Sequence, residues 1–176
     1  VGDEAQPPYE RPPLSKDVLL GRADPSSLQL LPVHGWRELD VELICARRAV
    51  EVEREARRVR LDDGTALDFD HLVLATGARP RAFAGPVEPG TELFYLRTID
   101  DALRLAPRLA RGCRVGIVGA GFIGLEPAST ARALGAEVTL VEAAPRPLAR
   151  LLPAAFASAL LGPAPLLVYV GWVTYA

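Results

Sequence analysis

The sequence is poor in lysine, cysteine, histidine and methionine. Lys16 is the one lysine among 20 basic residues, and the chain has two histidines and no methionine. Cys45 and Cys113 are far apart and form no CxxC motif, which argues against a disulfide framework and excludes a metal site built from cysteine alone. We interpret them as buried thiols in a reducing compartment. His34 and His71 have no plausible partners in sequence, so we interpret both as structural and predict no metal site.

Net charge and uninterrupted apolar sequence are also limited. The net charge is −2, so the overall balance indicates neither a nucleic-acid partner nor an anionic membrane surface. Residues 151–176 carry no charged side chain, but proline and glycine interrupt them, whereas a membrane-spanning helix needs about 20 continuous apolar residues. We therefore expect no membrane association. This atypical apolar tail is either a helix and strand that continue the preceding pattern or a non-native end.

The start of the chain indicates neither a secretion signal nor a natural beginning. The first residues are polar and acidic, so no signal peptide is visible, and the first residue is valine. We therefore expect a cytoplasmic protein whose sequence is cut at this end. The length of 176 residues suits one good domain or two partial ones, and 49% hydrophobic content is typical of a globular protein.

Hydrophobic patterns in the first 110 residues predict several short strands and one helix. Strands are predicted at Val41–Arg47, Val50–Arg60, Ala66–Asp70 and His71–Ala75, the last of them buried. Asp62–Thr65 is predicted to form a hairpin turn, because Asp and Gly tolerate the left-handed backbone that such turns need. Thr98–Ala110 predicts a helix with acidic residues in its first turn, although Pro107 lies inside it.

The clearest unit in the sequence lies at residues 114–142. A short apolar strand, Arg114–Val118, precedes a glycine loop at 119–124 that reads GxGxxG. A helix is predicted at Ile123–Leu134 and a second strand at Val138–Val141, directly before Glu142. GxGxxG alone is a weak signal, but in this context it is typical of a dinucleotide-binding βαβ unit.

Each part of this unit has a physical reason. Gly119 permits the tight turn, Gly121 lets the backbone approach a pyrophosphate, and Gly124 lets helix and strand pack closely. The helix N-terminus offers unpaired N–H groups to the phosphates. Glu142 should accept hydrogen bonds from the adenosine ribose, which favours NADH over NADPH, while Arg146 and Arg150 nearby temper that preference. The loop alone does not distinguish NAD from FAD.

Pro127 lies inside the helix predicted after the glycine loop. It removes a backbone donor and costs about 3 kcal/mol in a helix interior. We therefore expect either a kink in this helix or a late helix start.

Four segments together resemble the pyridine nucleotide-disulphide oxidoreductase superfamily, and in particular its ferredoxin and rubredoxin reductases. The resemblance covers residues 9–150 except 25–38, in the family's order and at about its spacing. The segments are Tyr9–Lys16, Leu72–Pro80, Tyr95–Thr98 with Asp101, and Gly119–Glu126 with Glu142.

The resemblance implies an α/β fold that is part of an FAD/NAD(P)-binding, Rossmann-like two-domain architecture, three-layered and with an antiparallel β-hairpin segment. Residues 1–112 would be the later part of the first FAD-binding segment. Residues 113–150 would start the NAD(H)-binding βαβ domain, and 151–176 would be the atypical tail. The family's opening FAD-binding GxGxxG is absent, so the chain is expected to be truncated at both ends.

The resemblance also implies a reaction, in which NADH gives a hydride to FAD and the flavin passes single electrons to a ferredoxin- or rubredoxin-type iron–sulfur protein. Lys16 and Glu126 would be the catalytic residues, beside the isoalloxazine and the nicotinamide, and we hypothesise that they pair. Disulphide reductases of the superfamily carry a cysteine pair beside the flavin. Here the RPPLSK segment at 11–16 stands in that part of the chain, which favours an external protein acceptor.

The cofactor-binding residues that the resemblance and the glycine loop imply fall into two groups. Those implied for FAD are Arg11, Pro12, Lys16, Val50, Ala75, Thr76, Gly77 and Arg97. Those implied for NAD(H) are Gly119, Gly121, Phe122, Ile123, Gly124, Glu126, Glu142 and Arg150.

Two other functions stay open at this point. The chain could be a catalytically inactive nucleotide-binding module, or a non-catalytic flavoprotein of the kind represented by apoptosis-inducing factor. The sequence specifies neither the electron acceptor nor the oligomeric state.

Overall fold

The computed structural model describes residues 1–156 and 167–170, and for 167–170 it describes the backbone only. The chain divides into two compact units. The first consists of residues 1–10 and 26–81, and the second of residues 11–25 and 82–176.

The first unit is built around an antiparallel sheet. Its helix α1 spans Val33–Glu38, and its strands are β1 (Ala49–Glu53), β2 (Arg58–Leu61) and β3 (Ala66–Asp68), in the order β1-β2-β3. The predicted turn at 62–65 connects β2 and β3. There Gly64 has a φ of +85° and the Asp63 carboxylate accepts a hydrogen bond from the Thr65 amide at 2.9 Å. Both features are typical of a tight hairpin turn.

Three strand predictions in this unit are wrong. Val41–Arg47 forms no strand, and Ala46 has a φ of +53°, which interrupts extended backbone. The single strand predicted at Val50–Arg60 is two strands, β1 and β2, separated by a turn in which Arg57 has a φ of +50°. His71–Ala75 is neither a strand nor buried, since Val73 is 83% exposed. A buried strand needs a neighbour to pair with, and the described strands of this unit provide none.

The second unit combines helical segments with a parallel sheet. After a 3-10 helix at Pro12–Ser15 come α2 (Ile99–Leu105), β4 (Arg114–Val118), α3 (Phe122–Ala133), β5 (Glu137–Glu142) and β6 (Leu167–Val170). A capping box begins α2, in which Thr98 and Asp101 each bond the other's backbone amide. The predicted helix Thr98–Ala110 is too long, because a 3-10 turn that contains Pro107 follows at Ala106–Arg108.

The parallel sheet has the strand order β4-β5-β6, so β5 lies at its centre. Leu140 of β5 is fully buried, and Val138 is nearly so. Helix α3 packs against β5 and buries Ala128 and Ala131, whose small side chains allow close approach. The α/β class and the antiparallel hairpin segment expected from the sequence are confirmed.

Of the two alternatives expected for α3, a kink or a late start, the late start is wrong, because the helix begins at Phe122 and Pro127 lies inside it. One of the two interpretations of the tail predicted a further strand, and β6 does pair with β5 in parallel. The rest of the tail beyond Phe156 lies outside the described residues. Among the described helices, none is long and apolar enough to cross a membrane.

Candidate functional site

The glycine loop joins the end of β4 to the first turn of α3. Gly119 has a φ of +101°, a left-handed conformation that favours glycine. A Cβ at Gly124 would lie 1.9 Å from the carbonyl oxygen of Gly119, so any side chain there would force the loop and the helix apart. A Cβ at Gly121, in contrast, would meet no protein atom within 4 Å. The backbone at Gly121 therefore borders open space.

The N-terminal end of α3 is suited to an anion. Gly121 is its N-cap, and no side chain caps the helix or places an acidic group in its first turn. The first N–H groups of a helix lack partners within the helix, and they carry a partial positive charge. The open space beside Gly121 and these N–H groups fit the pyrophosphate of a dinucleotide. Phe122 and Ile123 are exposed in the same turn.

Glu142 lies at the carboxyl end of β5, beside the glycine loop. Its Oε2 accepts a hydrogen bond from the Ala120 amide at 2.6 Å, and its Oε1 accepts one from the Ala144 amide at 2.8 Å. Burial acts to raise the pKa of this carboxyl, but the backbone N–H groups and the charge of Arg150 outweigh it and lower the pKa. Because an ionised carboxylate has about four acceptor positions, Glu142 can still accept hydrogen bonds from a ribose.

A second cluster lies between the 3-10 helix at 12–15 and α3. Lys16 Nζ is 2.7 Å from Glu126 Oε1, and Ser15 Oγ donates a hydrogen bond to Glu126 Oε2 at 2.5 Å. The ion pair hypothesised from the sequence is therefore present. Burial acts to raise the pKa of Glu126, but Lys16 and Ser15 stabilise the charged form and lower the pKa.

The backbone of Arg97 is hydrogen-bonded on both sides, by the side chains of Arg11 and Asp101. Arg11 donates from Nη1 to the Arg97 carbonyl at 2.7 Å, and the Arg97 amide donates to the Asp101 carboxylate at 3.0 Å. Pro12 begins the 3-10 helix directly after Arg11, in a first-turn position where its missing N–H has no cost. The segment that carries Lys16 is thus connected to the start of α2.

The remaining residues predicted for FAD lie in the first unit. Val50 is 59% exposed on β1, and Ala75, Thr76 and Gly77 are exposed in a segment without regular structure. Gly77 has a φ of +67°, which explains why glycine stands there. In the second unit, Arg150 is exposed and close enough to Glu142 for its charge to act on that carboxyl.

Two residues in this site were missed by sequence reasoning. Ser15 belongs to the recognised RPPLSK segment but had no assigned role, and Thr130 had none either. The Thr130 hydroxyl donates to the Ser15 carbonyl at 2.7 Å, and both residues are buried. The one signal available in the sequence is the spacing of Glu126 and Thr130, which places them on the same face of a helix.

The cysteines and possible metal ligands add nothing to the site. Cys45 and Cys113 are free and half-buried. Within residues 1–156, no group of three or more His, Cys, Asp or Glu side chains could hold a metal ion.

A parallel strand, glycine loop, helix and second strand that ends in an acidic residue define a dinucleotide-binding module. The profile of the pyridine nucleotide-disulphide oxidoreductase family matches residues 1–162. The chain therefore belongs to the pyridine nucleotide-disulphide oxidoreductase family. Proteins of this family bind FAD and NAD(H).

Curated relatives with similar sequences are reductase components of electron-transfer systems. The ferredoxin–NAD(+) reductase component of the anthranilate 1,2-dioxygenase system of Burkholderia cepacia is 47% identical over 154 residues, which cover 87% of this chain and 38% of that protein. Rhodocoxin reductase of Rhodococcus erythropolis is 45% identical over 86% of this chain and 36% of its own length. The chain thus spans less than two fifths of the length of these relatives.

Solved structures show the same likeness. A ferredoxin reductase from Rhodopseudomonas palustris superimposes with a TM-score of 0.84 at 43% identity, over 92% of this chain and 40% of that one. The reductase–putidaredoxin covalent complex gives a TM-score of 0.86 at 36% identity, over 97% of this chain and 42% of that one.

Proposed function

We propose that this chain forms part of an NADH-dependent flavoprotein reductase that passes electrons to a ferredoxin- or rubredoxin-type iron–sulfur protein. The observation that carries the proposal is the position of Glu126. It lies on α3, whose N-terminus bears the glycine loop, and it pairs with Lys16 at 2.7 Å. The names of the relatives support an iron–sulfur acceptor, since they include a ferredoxin–NAD(+) reductase and rhodocoxin reductase.

For NAD(H), the proposed site is the βαβ unit of the second unit. Gly119, Gly121 and Gly124 shape the loop, and the backbone amides at the start of α3, at Phe122 and Ile123, receive the pyrophosphate. Glu142 accepts hydrogen bonds from the adenosine ribose, and its negative charge disfavours a phosphate on that ribose. NADH is therefore the proposed cofactor, with Arg150 placed to contact it.

For FAD, the proposed contacts include the half-exposed ammonium of Lys16. Its Nζ contacts Glu126 and lies 3.4 Å from the Pro12 carbonyl, which leaves one of its three donors without a partner among the described residues. FAD, when bound, accepts a hydride and releases electrons one at a time. The Lys16 charge favours negative charge on the ring, and Glu126 keeps that ammonium in place. Further contacts are proposed for Arg11, Pro12, Arg97, Val50 and Ala75–Gly77.

The domain division and the location follow from the same proposal. Residues 1–112 belong to the first FAD-binding segment, 113–150 start the NAD(H)-binding domain, and 151–176 form the apolar tail. We place the protein in the cytoplasm, because both cysteines are free, as in a reducing compartment.

One observation favours a second candidate, a nucleotide-binding module without turnover. The segment at 71–77, which carries three of the residues proposed for FAD, is exposed and forms no strand. On this alternative, the βαβ unit binds NADH and no flavin is retained.

A visible absorption spectrum of the purified protein, followed by anaerobic titration with NADH, tests the two candidates. Flavin bands that NADH bleaches would support the reductase. A colourless protein that binds NADH in isothermal titration would support the inactive module. A protein that neither carries flavin nor binds NADH would contradict both.

The role of Lys16 is tested by two substitutions at that position. Lys16→Ala removes the charge and should slow flavin reduction, whereas Lys16→Arg keeps the charge and should retain most of the rate. A Lys16→Ala variant with an unchanged rate would contradict the proposed role.

A further inference from the structure

We propose that Ser15 and Thr130 are positioning residues that hold the Lys16–Glu126 pair in place; we call these two the hydroxyl clamp. The inference rests on the proposed reductase function and adds two residues to it. Neither hydroxyl contacts a cofactor in this proposal. Both act through the ion pair.

The hydroxyl clamp joins one short segment to one helix by two hydrogen bonds. Ser15 uses its side chain to bond Glu126 at 2.5 Å and its carbonyl to accept from Thr130 at 2.7 Å. Glu126 and Thr130 are four residues apart on α3, so both bonds come from the same face of the helix. Ser15 is therefore bonded to α3 through both its side chain and its backbone. Because Lys16 follows Ser15 in the chain, these bonds also fix the backbone next to Lys16.

The direction of the first hydrogen bond explains its effect on Glu126. An ionised carboxylate only accepts hydrogen bonds, so the Ser15 hydroxyl must be the donor. Each carboxylate oxygen then has one donor, Lys16 on Oε1 and Ser15 on Oε2, so rotation of the carboxylate would break both contacts. Lys16 is 46% exposed, so water would otherwise compete for its ammonium.

The burial of the clamp distinguishes it from ordinary surface hydroxyls. Ser15 is 8% exposed and Thr130 is 5% exposed, and they are the two polar residues buried in the described part of the chain. When one partner of a buried hydrogen bond is removed, the other is left unsatisfied. The loss of either hydroxyl should therefore shift the position of the Lys16–Glu126 pair. In contrast, the neighbouring Ser129 is exposed on α3.

The clamp also connects the two halves of the proposed chemistry. Helix α3 begins at the glycine loop proposed to bind the NADH pyrophosphate, and it carries Glu126 in its second turn. By fixing the Lys16 segment to that helix, Ser15 and Thr130 keep the residue beside the flavin in register with the loop that presents NADH. A misplacement of about 1 Å at a reacting group can slow a reaction about 100-fold.

The main experiment is a double-mutant cycle in the full-length flavin-containing protein. The variants are Ser15→Ala, Lys16→Ala and the double variant, with Ser129→Ala as the matched control. Anaerobic stopped-flow gives the flavin-reduction rate and the Kd for NADH. Ser15→Ala should lower the rate about tenfold with an unchanged Kd, and it should add little to Lys16→Ala, because residues that act through one interaction are not additive. Fully additive losses, or an unchanged rate, would overturn the proposal.

Substitutions at Thr130 keep the proposal testable if Ser15→Ala does not fold. Thr130→Val removes the hydroxyl at nearly constant shape, whereas Thr130→Ser keeps the hydroxyl and removes only a methyl group. We expect Thr130→Val to slow flavin reduction and Thr130→Ser to recover most of the rate. If Thr130→Val matches the wild type, the clamp has no positioning role.

A flavin-independent measurement separates this inference from the proposed function. Urea unfolding of Ser15→Ala, Glu126→Gln and the double variant measures the coupling between the two side chains, which should change the unfolding equilibrium constant about tenfold. If NADH fails to bleach the wild type but this coupling is found, the reductase function is wrong and the clamp geometry stands. If NADH bleaches the wild type and no coupling is found, the clamp is wrong.

Discussion

The central strand of each sheet buries two aliphatic side chains, Val59 and Leu61 on β2 and Val138 and Leu140 on β5, but the two sheets differ in what surrounds these strands. In the antiparallel sheet β1–β3, charged side chains connect strands and turns: Arg58 lies 2.9 Å from Asp68, Arg47 lies 2.6 Å from Asp63, and Arg60 bonds Glu53. In the parallel sheet, the central strand buries aliphatic side chains under an alanine-rich helix.

The parallel sheet differs in that α3, which begins at the glycine loop, packs on it. An exposed ion pair contributes about 0–1 kcal/mol, and salt screens it, whereas a fully buried leucine contributes about 1.5–3 kcal/mol. Binding sites need rigid support. The glycine loop and Glu142 both sit at the end of strands whose central member is buried.

The largest effect should come from the centre of the parallel sheet. Leu140→Ala leaves a cavity under α3 and should lower the free energy of unfolding by about 3 kcal/mol. Val52→Ala on the exposed strand β1 is the matched control, and it should cost a small fraction of that. Urea midpoints of the two variants measure the difference. Equal losses would show that the burial of Leu140 adds nothing to the stability of the protein.

A smaller loss of stability, with a specific loss of binding, is expected for Gly124→Ala. Its Cβ would overlap the Gly119 carbonyl, so the loop must move, at a cost of about 2 kcal/mol. We expect NADH binding to disappear in a fluorescence titration. Gly116→Ala in β4 is the control, because a Cβ there meets no atom within 4 Å. If both variants bind NADH normally, the loop is not the nucleotide site.

Glu142→Gln should weaken NADH binding about tenfold, since hydrogen bonds to charged groups are worth about 1.5–3 kcal/mol. The amide nitrogen of the glutamine would also face one of two backbone N–H donors, at Ala120 or Ala144. Glu137→Gln, at the opposite end of β5 and exposed, should leave the Kd unchanged. Isothermal titration measures the Kd for NADH of both variants. Equal Kd values would show that Glu142 does not contact the nucleotide.

The smallest effect is expected in the antiparallel sheet, at Asp63. Hydrogen bonds from Thr65, with a further contribution from Arg47, lower the pKa of this carboxyl from 3.8 to about 2. A lowered pKa in the folded protein means that the stabilisation is fully present above pH 4 and is lost as the pH falls toward 2. Asp63→Asn should therefore be slightly less stable than the wild type near neutral pH. The difference between their urea midpoints should shrink below pH 4, and a difference independent of pH would contradict this.

The βαβ unit could be predicted closely because its signals are local. The strand at 114–118 was predicted with its observed bounds, and the helix prediction was off by one residue at each end. Whether residues 71–75 form a strand could not be predicted from local sequence, since a buried strand depends on partners distant in the sequence. The turn before β2 was missed because Arg57, and not glycine, takes the left-handed conformation there.

The candidate site was predictable only in part. The glycine loop and Glu142 followed from spacing, and the Lys16–Glu126 pair followed from a family resemblance. The hydroxyl clamp did not follow from either, because Thr130 and Ser15 are separated by 115 positions in the chain and neither belongs to a pattern that predicts a bond between them.

The pairing of β4 with β5 has a consequence for the glycine loop. The Gly119 amide donates to the Val141 carbonyl at 2.7 Å, and the Ala120 amide donates to the Glu142 carboxylate at 2.6 Å. Two successive residues of the loop are therefore bonded to two successive residues at the end of β5. A change in the register of the two strands would break both bonds and separate the loop from Glu142.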